Sequence, residues 1–256
     1  MRITRRQFVH DAALALASWH AASERGRWPL DQGPEDGRLA ARPLGVPNDP
    51  LPAGLHTLSV AGDRATVVLI PERVRPAQPA PLLLMLHGAT ANSTESVDAL
   101  REVAEHTGAI LVAPSSAGVT WDAIRGGFAD DLADIDRQLT RVFEHCTVDS
   151  SHVAVAGFSD GASYGLSLGL INGDLFTHII AYSPGFVIPR PRRGHPRVFI
   201  AHGTRDTILP IDQCGRRIAS ELRTAGYPVD FRTFDGPHMI RPEMVEQSIH
   251  WFLPSP

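Results

Sequence analysis

Three turns of this 256-residue chain carry residues whose chemistries complement one another. Ser159 lies in Gly157-Phe158-Ser159-Asp160-Gly161, Asp206 in Gly203-Thr204-Arg205-Asp206-Thr207, and His238 in Asp235-Gly236-Pro237-His238. A serine hydroxyl is a weak nucleophile until a base takes its proton, and the base needs an acid that fixes its tautomer. Together the three could form and break an acyl-enzyme. Other residues fit these roles less well. His250 falls inside the last helical stretch, His202 is still within a strand, and His87 precedes the serine in a different turn, where bracing the turn is its expected task. Asp212, the near competitor of Asp206, reads as a first-turn residue of the following helix, where a carboxylate favours the dipole. Ser183-Pro184-Gly185 offers no alternative carboxylate.

The elements that must position these residues are short β-rich runs separated by helical stretches. Residues 56–60 and 65–70, joined around Gly62-Asp63, predict an antiparallel hairpin. Residues 81–86 form a nearly pure apolar run, as expected of a strand covered on both faces. Further strands are predicted at 109–113, 152–156, 178–182, 198–202 and 229–234, with helices at 95–106, 129–145, 161–170, 214–224 and 243–252. The alternation implies an α/β fold with a right-handed, doubly wound, mostly parallel sheet. Ligands of such sheets bind beyond the carboxyl ends of the strands, which is where all three turns fall. The serine turn follows a strand and opens a helix, so its hydroxyl must stand on a strained elbow, and flanking glycines let strand and helix pass without Cβ collisions. The remaining requirement is a pair of donors for the tetrahedral oxyanion. The turn His87-Gly88-Ala89-Thr90 offers the Ala89 amide and the elbow offers that of Asp160.

The segments PLLLMLHGATANST, VAVAGFSDGASYGLSLGL, IIAYSPGF, VFIAHGTRDTILPI and FDGPHMI resemble the phospholipase/carboxylesterase branch of the α/β-hydrolases. They are similar to the small esterases grouped with polyhydroxybutyrate depolymerases and feruloyl esterases, over about residues 54–255. The chain order Ser, Asp, His is that of the superfamily. The resemblance implies a serine esterase with Ser159 as nucleophile, Asp206 as acid, His238 as base and the amides of Ala89 and Asp160 as oxyanion hole. Asp160 stands where many carboxylesterases have glutamine, and residues 184–195 are short and proline-rich where relatives often have another helix.

Composition narrows the alternatives. All 24 basic residues are arginine, which removes a Walker-A lysine, a Schiff-base lysine and a Ser-Lys dyad. A net charge of −4 argues against a nucleic-acid face, and no apolar run is long enough to insert in a membrane. Cys146 and Cys214 lack metal or redox spacing and are expected to stay free, so neither metal nor cofactor is called for. The expected partner is a small-molecule ester. Trp121 and Phe128 follow the strand at 109–113 and are candidates for the rim of the substrate site, with ordinary packing as the other reading. No insertion long enough for a cap follows the sixth strand, so short-chain or aromatic acyl groups are expected. A thioesterase or lysophospholipase would use the same triad, and a ligand-binding protein that kept the fold is the non-enzymatic alternative. Residues 1–25 carry Thr4-Arg5-Arg6-Gln7-Phe8, which resembles a twin-arginine export signal, with a frayed basic segment as the other reading. The protein is periplasmic or secreted under the first and cytoplasmic under the second. Residues 26–53, with Pro29, Pro34, Pro43, Pro47, Pro50 and Pro52, read as an extended linker, leaving 54–256 as the catalytic domain. Oligomeric state is left open.

Overall fold

Segments of four to eleven residues, most of them largely apolar, make the strands of one eight-stranded sheet among the described residues. The structure is a computed structural model that describes residues 37–58, 64–124 and 127–253. The strands are β1 (Gly54–Leu58), β2 (Thr66–Ile70), β3 (Ala80–Leu86), β4 (Ile110–Ala113), β5 (Val148–Phe158), β6 (His178–Tyr182), β7 (Arg197–Gly203) and β8 (Val229–Phe234). They are ordered β1-β2-β4-β3-β5-β6-β7-β8. β3 to β8 run parallel, while β1 and β2 form the expected antiparallel pair and β2 joins β4 antiparallel. The turn anticipated at Gly62-Asp63 lies outside the described residues. β5 begins four residues earlier than the apolar pattern indicates, because Val148 pairs with Ala80 before a register shift brings Val153 opposite Leu82. The polar run Asp149-Ser150-Ser151 occupies that shift and masks the strand in sequence.

Among the described residues, five α-helices cover the two faces. α1 (Ser93–Thr107) and α5 (Pro242–Phe252) bury Val97, Leu100, Val245 and Ile249 on one side. α2 (Asp130–His145), α3 (Asp160–Ile171) and α4 (Arg217–Thr224) bury Ile135, Leu139, Leu166 and Ile218 on the other. α1 is delimited as its sequence requires, by an Asn92 side chain that accepts from the Glu95 amide and by Gly108 at φ 78°. The predicted helix at 214–224 opens instead as a π-helical turn over Asp212–Arg216. Strand order reverses between β3 and β5, since β4 lies on one side of β3 and β5 on the other. That reversal opens a crevice above the carboxyl ends of β3 and β5.

One connection is built without a helix, and one segment differs from its sequence reading. The β6 to β7 crossover contains no helix; it lies along α3, with Gly185 N donating to Ser163 Oγ and Ile188 N to Ser167 Oγ, both at 2.9 Å. Serines one helical turn apart thus replace a covering helix, and α3 is buried all round from Gly161 to Ile171. The segment expected as a linker is extended but not free. Leu39 and Ala41 are buried in the core, Asn172 bonds Leu39 N and Gly37 O, and Arg38 grips Asp174 with two 2.7 Å bonds. Packing therefore starts well before Gly54, because two small apolar side chains reach the gap beside α3 even in proline-rich sequence.

Candidate active site

The elbow at Ser159 has the geometry its glycines allow. Ser159 adopts φ 57° and ψ −118°, a conformation of high cost for a side-chain-bearing residue. The cost is met by fixed surroundings: its amide donates to Tyr182 O at 2.9 Å, and its carbonyl accepts from Ala162 and Ser163 as α3 begins. A Cβ on Gly157 would lie 2.2 Å from Gly161 O, and one on Gly161 would lie 2.2 Å from Leu86 O. Only glycine fits either place. Strand β3, strand β5 and helix α3 are thus drawn together, and Ser159 is lifted above the crevice.

Ser159, Asp206 and His238 meet there. His238 Nε2 is 2.9 Å from Ser159 Oγ, and His238 Nδ1 is 2.6 Å from Asp206 Oδ2. An ionised carboxylate can only accept, so Nδ1 carries the proton and Nε2 of the neutral ring is left to accept from the serine hydroxyl. Asp206 is itself immobilised, its Oδ1 accepting from the amides of Ile208 at 2.9 Å and Leu209 at 2.8 Å. Burial pushes its carboxyl upward, but hydrogen bonds from His202 and His238 and the Leu209 amide outweigh it and hold the group well below the usual carboxylate range. His202 was set aside as a strand residue, yet its Nε2 lies 3.2 Å from Asp206 Oδ2 and 2.8 Å from Leu209 O. It is a second imidazole on the same carboxylate, and nothing in its spacing announces that role. Asp212 takes no part: it is exposed and paired with Arg216.

The two amides expected to face an oxyanion are at the two sides of the strand-order reversal, Ala89 after β3 and Asp160 at the start of α3. Neither has a hydrogen-bond acceptor among the described residues. Their loop is clamped by residues 116–121. Ser116 N donates to His87 Nε2 at 3.0 Å, Thr90 N to Val119 O at 2.7 Å, and Trp121 Nε1 to His87 O at 2.9 Å. Thr120 Oγ1 adds a 2.7 Å bond to Asp160 Oδ2, tying the same loop to the elbow. His87 Nδ1 donates to Gly88 O at 2.8 Å, so the ring braces the turn as neutral imidazole, and burial lowers its pKa. The clamp is anchored in turn by Asp131, whose buried carboxylate accepts from the amides of Ala117 and Asp122 and pairs with Arg64.

Trp121 and Phe128 do not line a substrate rim. Both are 0% exposed: Trp121 stacks on Tyr164 at 5.3 Å and Phe128 packs on the same ring at 5.5 Å. The loop after β4 folds back onto α3 instead of standing open, and Trp121 becomes a support of the His87 turn. The aromatic residue that does reach the site is Phe158, half-buried with its ring 4.8 Å from that of His238. It sits at a variable position of the elbow, where sequence spacing carries no signal for it. Cys146 and Cys214 are free and buried, and burial raises both thiols to about 11, which keeps them protonated. Among the described residues no group of His, Cys, Asp and Glu has the arrangement of a metal site, and no helix is long and apolar enough to cross a membrane.

This architecture recurs among solved structures. Esterase PE8 matches with a TM-score of 0.60 at 18% identity, over 74% of this chain and 96% of that one. The S-formylglutathione hydrolase FrmB of Staphylococcus aureus matches with a TM-score of 0.64 at 14% identity, over 78% and 98%. The Bacillus cereus carboxylesterase matches with a TM-score of 0.55 at 18% identity, over 74% and 93%. At such identities the likeness is one of fold. A search of curated proteins gives no significant match. The family model for phospholipase/carboxylesterase, however, matches residues 118–253, a span that takes in the elbow, Asp206 and His238. With more than half of its length inside that model, on an eight-stranded α/β-hydrolase sheet, the chain belongs to the phospholipase/carboxylesterase family of ester hydrolases.

Proposed function

We propose that the protein is a serine esterase that cleaves short-chain or aromatic carboxylic esters through an acyl-enzyme on Ser159. The observation that carries this reading is the His238 ring, held between Asp206 Oδ2 at 2.6 Å and Ser159 Oγ at 2.9 Å. In the acylation half, His238 Nε2 takes the hydroxyl proton as Ser159 Oγ attacks the ester carbonyl. The amides of Ala89 and Asp160 receive the oxyanion, at the positive end of α3. The intermediate collapses as His238 returns the proton to the departing alcohol. In the second half His238 deprotonates water, which attacks the acyl carbon and frees Ser159. Asp206 keeps the imidazole in its tautomer and stabilises the imidazolium formed in each half.

Preference for small esters is supported by the β6 to β7 crossover, which runs directly along α3 without a cap, and by the withdrawal of Trp121 and Phe128 into the core. Extensive apolar wall for a long acyl chain is therefore lacking at these positions. A fluorophosphonate probe is expected to label the wild-type protein, and Ser159→Ala to lose both labelling and p-nitrophenyl acetate hydrolysis, by roughly 10⁴-fold or more, with an unchanged circular dichroism spectrum. Near-parental turnover by that variant would sink the assignment. Across p-nitrophenyl esters from acetate to palmitate, kcat/KM is expected to peak at short chains. A steady rise to palmitate would move the reading to a lysophospholipase or thioesterase.

A further inference from the structure

The residue after Ser159 places a carboxylate beside the site of developing negative charge. Asp160 Oδ2 accepts from the Thr120 hydroxyl at 2.7 Å, whereas Oδ1 has no donor among the described residues, and the residue stays partly open to solvent. Its electrostatic neighbours are His238 and His87, with no arginine beside it. The arginines of the adjoining turns are engaged elsewhere, Arg205 with Asp235 and Arg241 with Glu243. Burial dominates and raises the Asp160 carboxyl above its ordinary value, with the Thr120 hydrogen bond and the two histidines opposing it. Because the backbone amide of this same residue faces the oxyanion in the proposed mechanism, a bound ester carbonyl lies within one side chain's length of the carboxylate.

We propose that Asp160 is a specificity-determining residue whose open Oδ1 selects substrates by charge, favouring esters with a cationic group near the ester bond and disfavouring esters with a second carboxylate. The inference rests on the reading of Ser159 as nucleophile and names the substrate class within it. Two unit charges separated by a side chain's length in a partly desolvated crevice discriminate by about tenfold or more. Tethering Oδ2 to Thr120 fixes the charge in place, so the preference follows from position rather than from the net charge of the protein.

Charge is separated from shape by isosteric probes. On the alcohol side these are acetylcholine, its uncharged isostere 3,3-dimethylbutyl acetate, and anionic 3-acetoxypropionate. On the acyl side they are the p-nitrophenyl esters of 4-(trimethylammonio)butyrate, 5,5-dimethylhexanoate and glutarate. For the wild-type protein the ratio of kcat/KM for the cationic over the anionic ester is expected to exceed about tenfold in at least one series. Asp160→Asn keeps the shape and an acceptor for Thr120 but removes the charge, and should bring that ratio close to one. Asp160→Gln, as a second uncharged variant, should do the same if the asparagine protein folds poorly. A ratio unchanged in a folded, active variant, or a wild-type preference for the anionic esters in both series, overturns the inference. Hydrolysis of the neutral isosteres by wild type and its loss in Ser159→Ala report on the nucleophile separately, so the two readings fail by different results.

Discussion

Asp206 shows how much of the site is carried by a single side chain. Two amides fix one oxygen, two imidazoles meet at the other, and removing its charge changes what His238 can accept. Asp206→Asn turns the oxygen facing Nδ1 into an amide that can favour the opposite tautomer, and kcat/KM should fall by about 10³ to 10⁴-fold. Asp212→Asn, altering an exposed pair with Arg216, should stay within about twofold of wild type in the same assay. A larger loss at Asp212 than at Asp206 would place the acid elsewhere. The convergence of Ser159, Asp206 and His238 is legible in the sequence because each follows a strand that apolar patterning reveals, and strand ends of a parallel sheet meet at one edge. Sequence does not choose between rim and core for Trp121 and Phe128, for the converse reason. Their place after β4 fixes where the loop starts, but its return onto Tyr164 depends on backbone bonds from Thr90, Ser116 and Ala117 that no side-chain pattern encodes.

At the scale of elements, the crossing of β3, β5 and α3 is among the tightest contacts of the fold. Gly161→Ala forces a methyl group against Leu86 O, where backbone rather than a flexible side chain must give way. A loss of about 3 kcal/mol is expected, read as a lower urea midpoint, together with loss of esterase activity as the elbow shifts. An unchanged midpoint would mean that the close approach relaxes at little cost. Sequence anticipates this crossing, since two glycines bracket a serine between a strand and a helix. The short proline-rich run at 184–195 signals a crossover without another helix, but not what that run docks on. Ser163 and Ser167 look like ordinary polar interruptions of an apolar helix until Gly185 and Ile188 are found docked on them. The ends of α1 are legible only to within two residues: the helix foreseen at 95–106 runs from Ser93 to Thr107, between the Asn92 cap and Gly108. The π-helical turn before α4 accommodates Gly215 against His202 and was not legible.

For the molecule as a whole, the edge of the sheet opposite Ser159 contributes to the response to acid. His178, at the start of β6, is packed against Trp251, Phe252 and a parallel His152 ring, and burial lowers its pKa from 6.5 to about 4, with the charges of Arg197 and His152 adding to the effect. Its folded value lies below its unfolded value, so stability from the buried neutral ring is complete above pH 6.5 and is lost as pH falls toward 4. The loss across that window is on the order of 3 kcal/mol. His178→Phe should therefore show a urea midpoint that changes less between those pH values than that of wild type; parallel pH dependence in the two proteins would remove His178 as the source. The N-terminal strap was the least legible part of the fold, since Leu39 and Asn172 lie 133 positions apart and prolines obscure the two small residues that dock. Its position also settles an orientation. Gly37 rests against Ile171 at the foot of α3, while Ser159 opens the head of the same 12-residue helix, about 18 Å away. A resin linkage through Ala40→Cys, at an exposed position of that strap, therefore holds the molecule from the end opposite the crevice and turns Ser159 toward the solution.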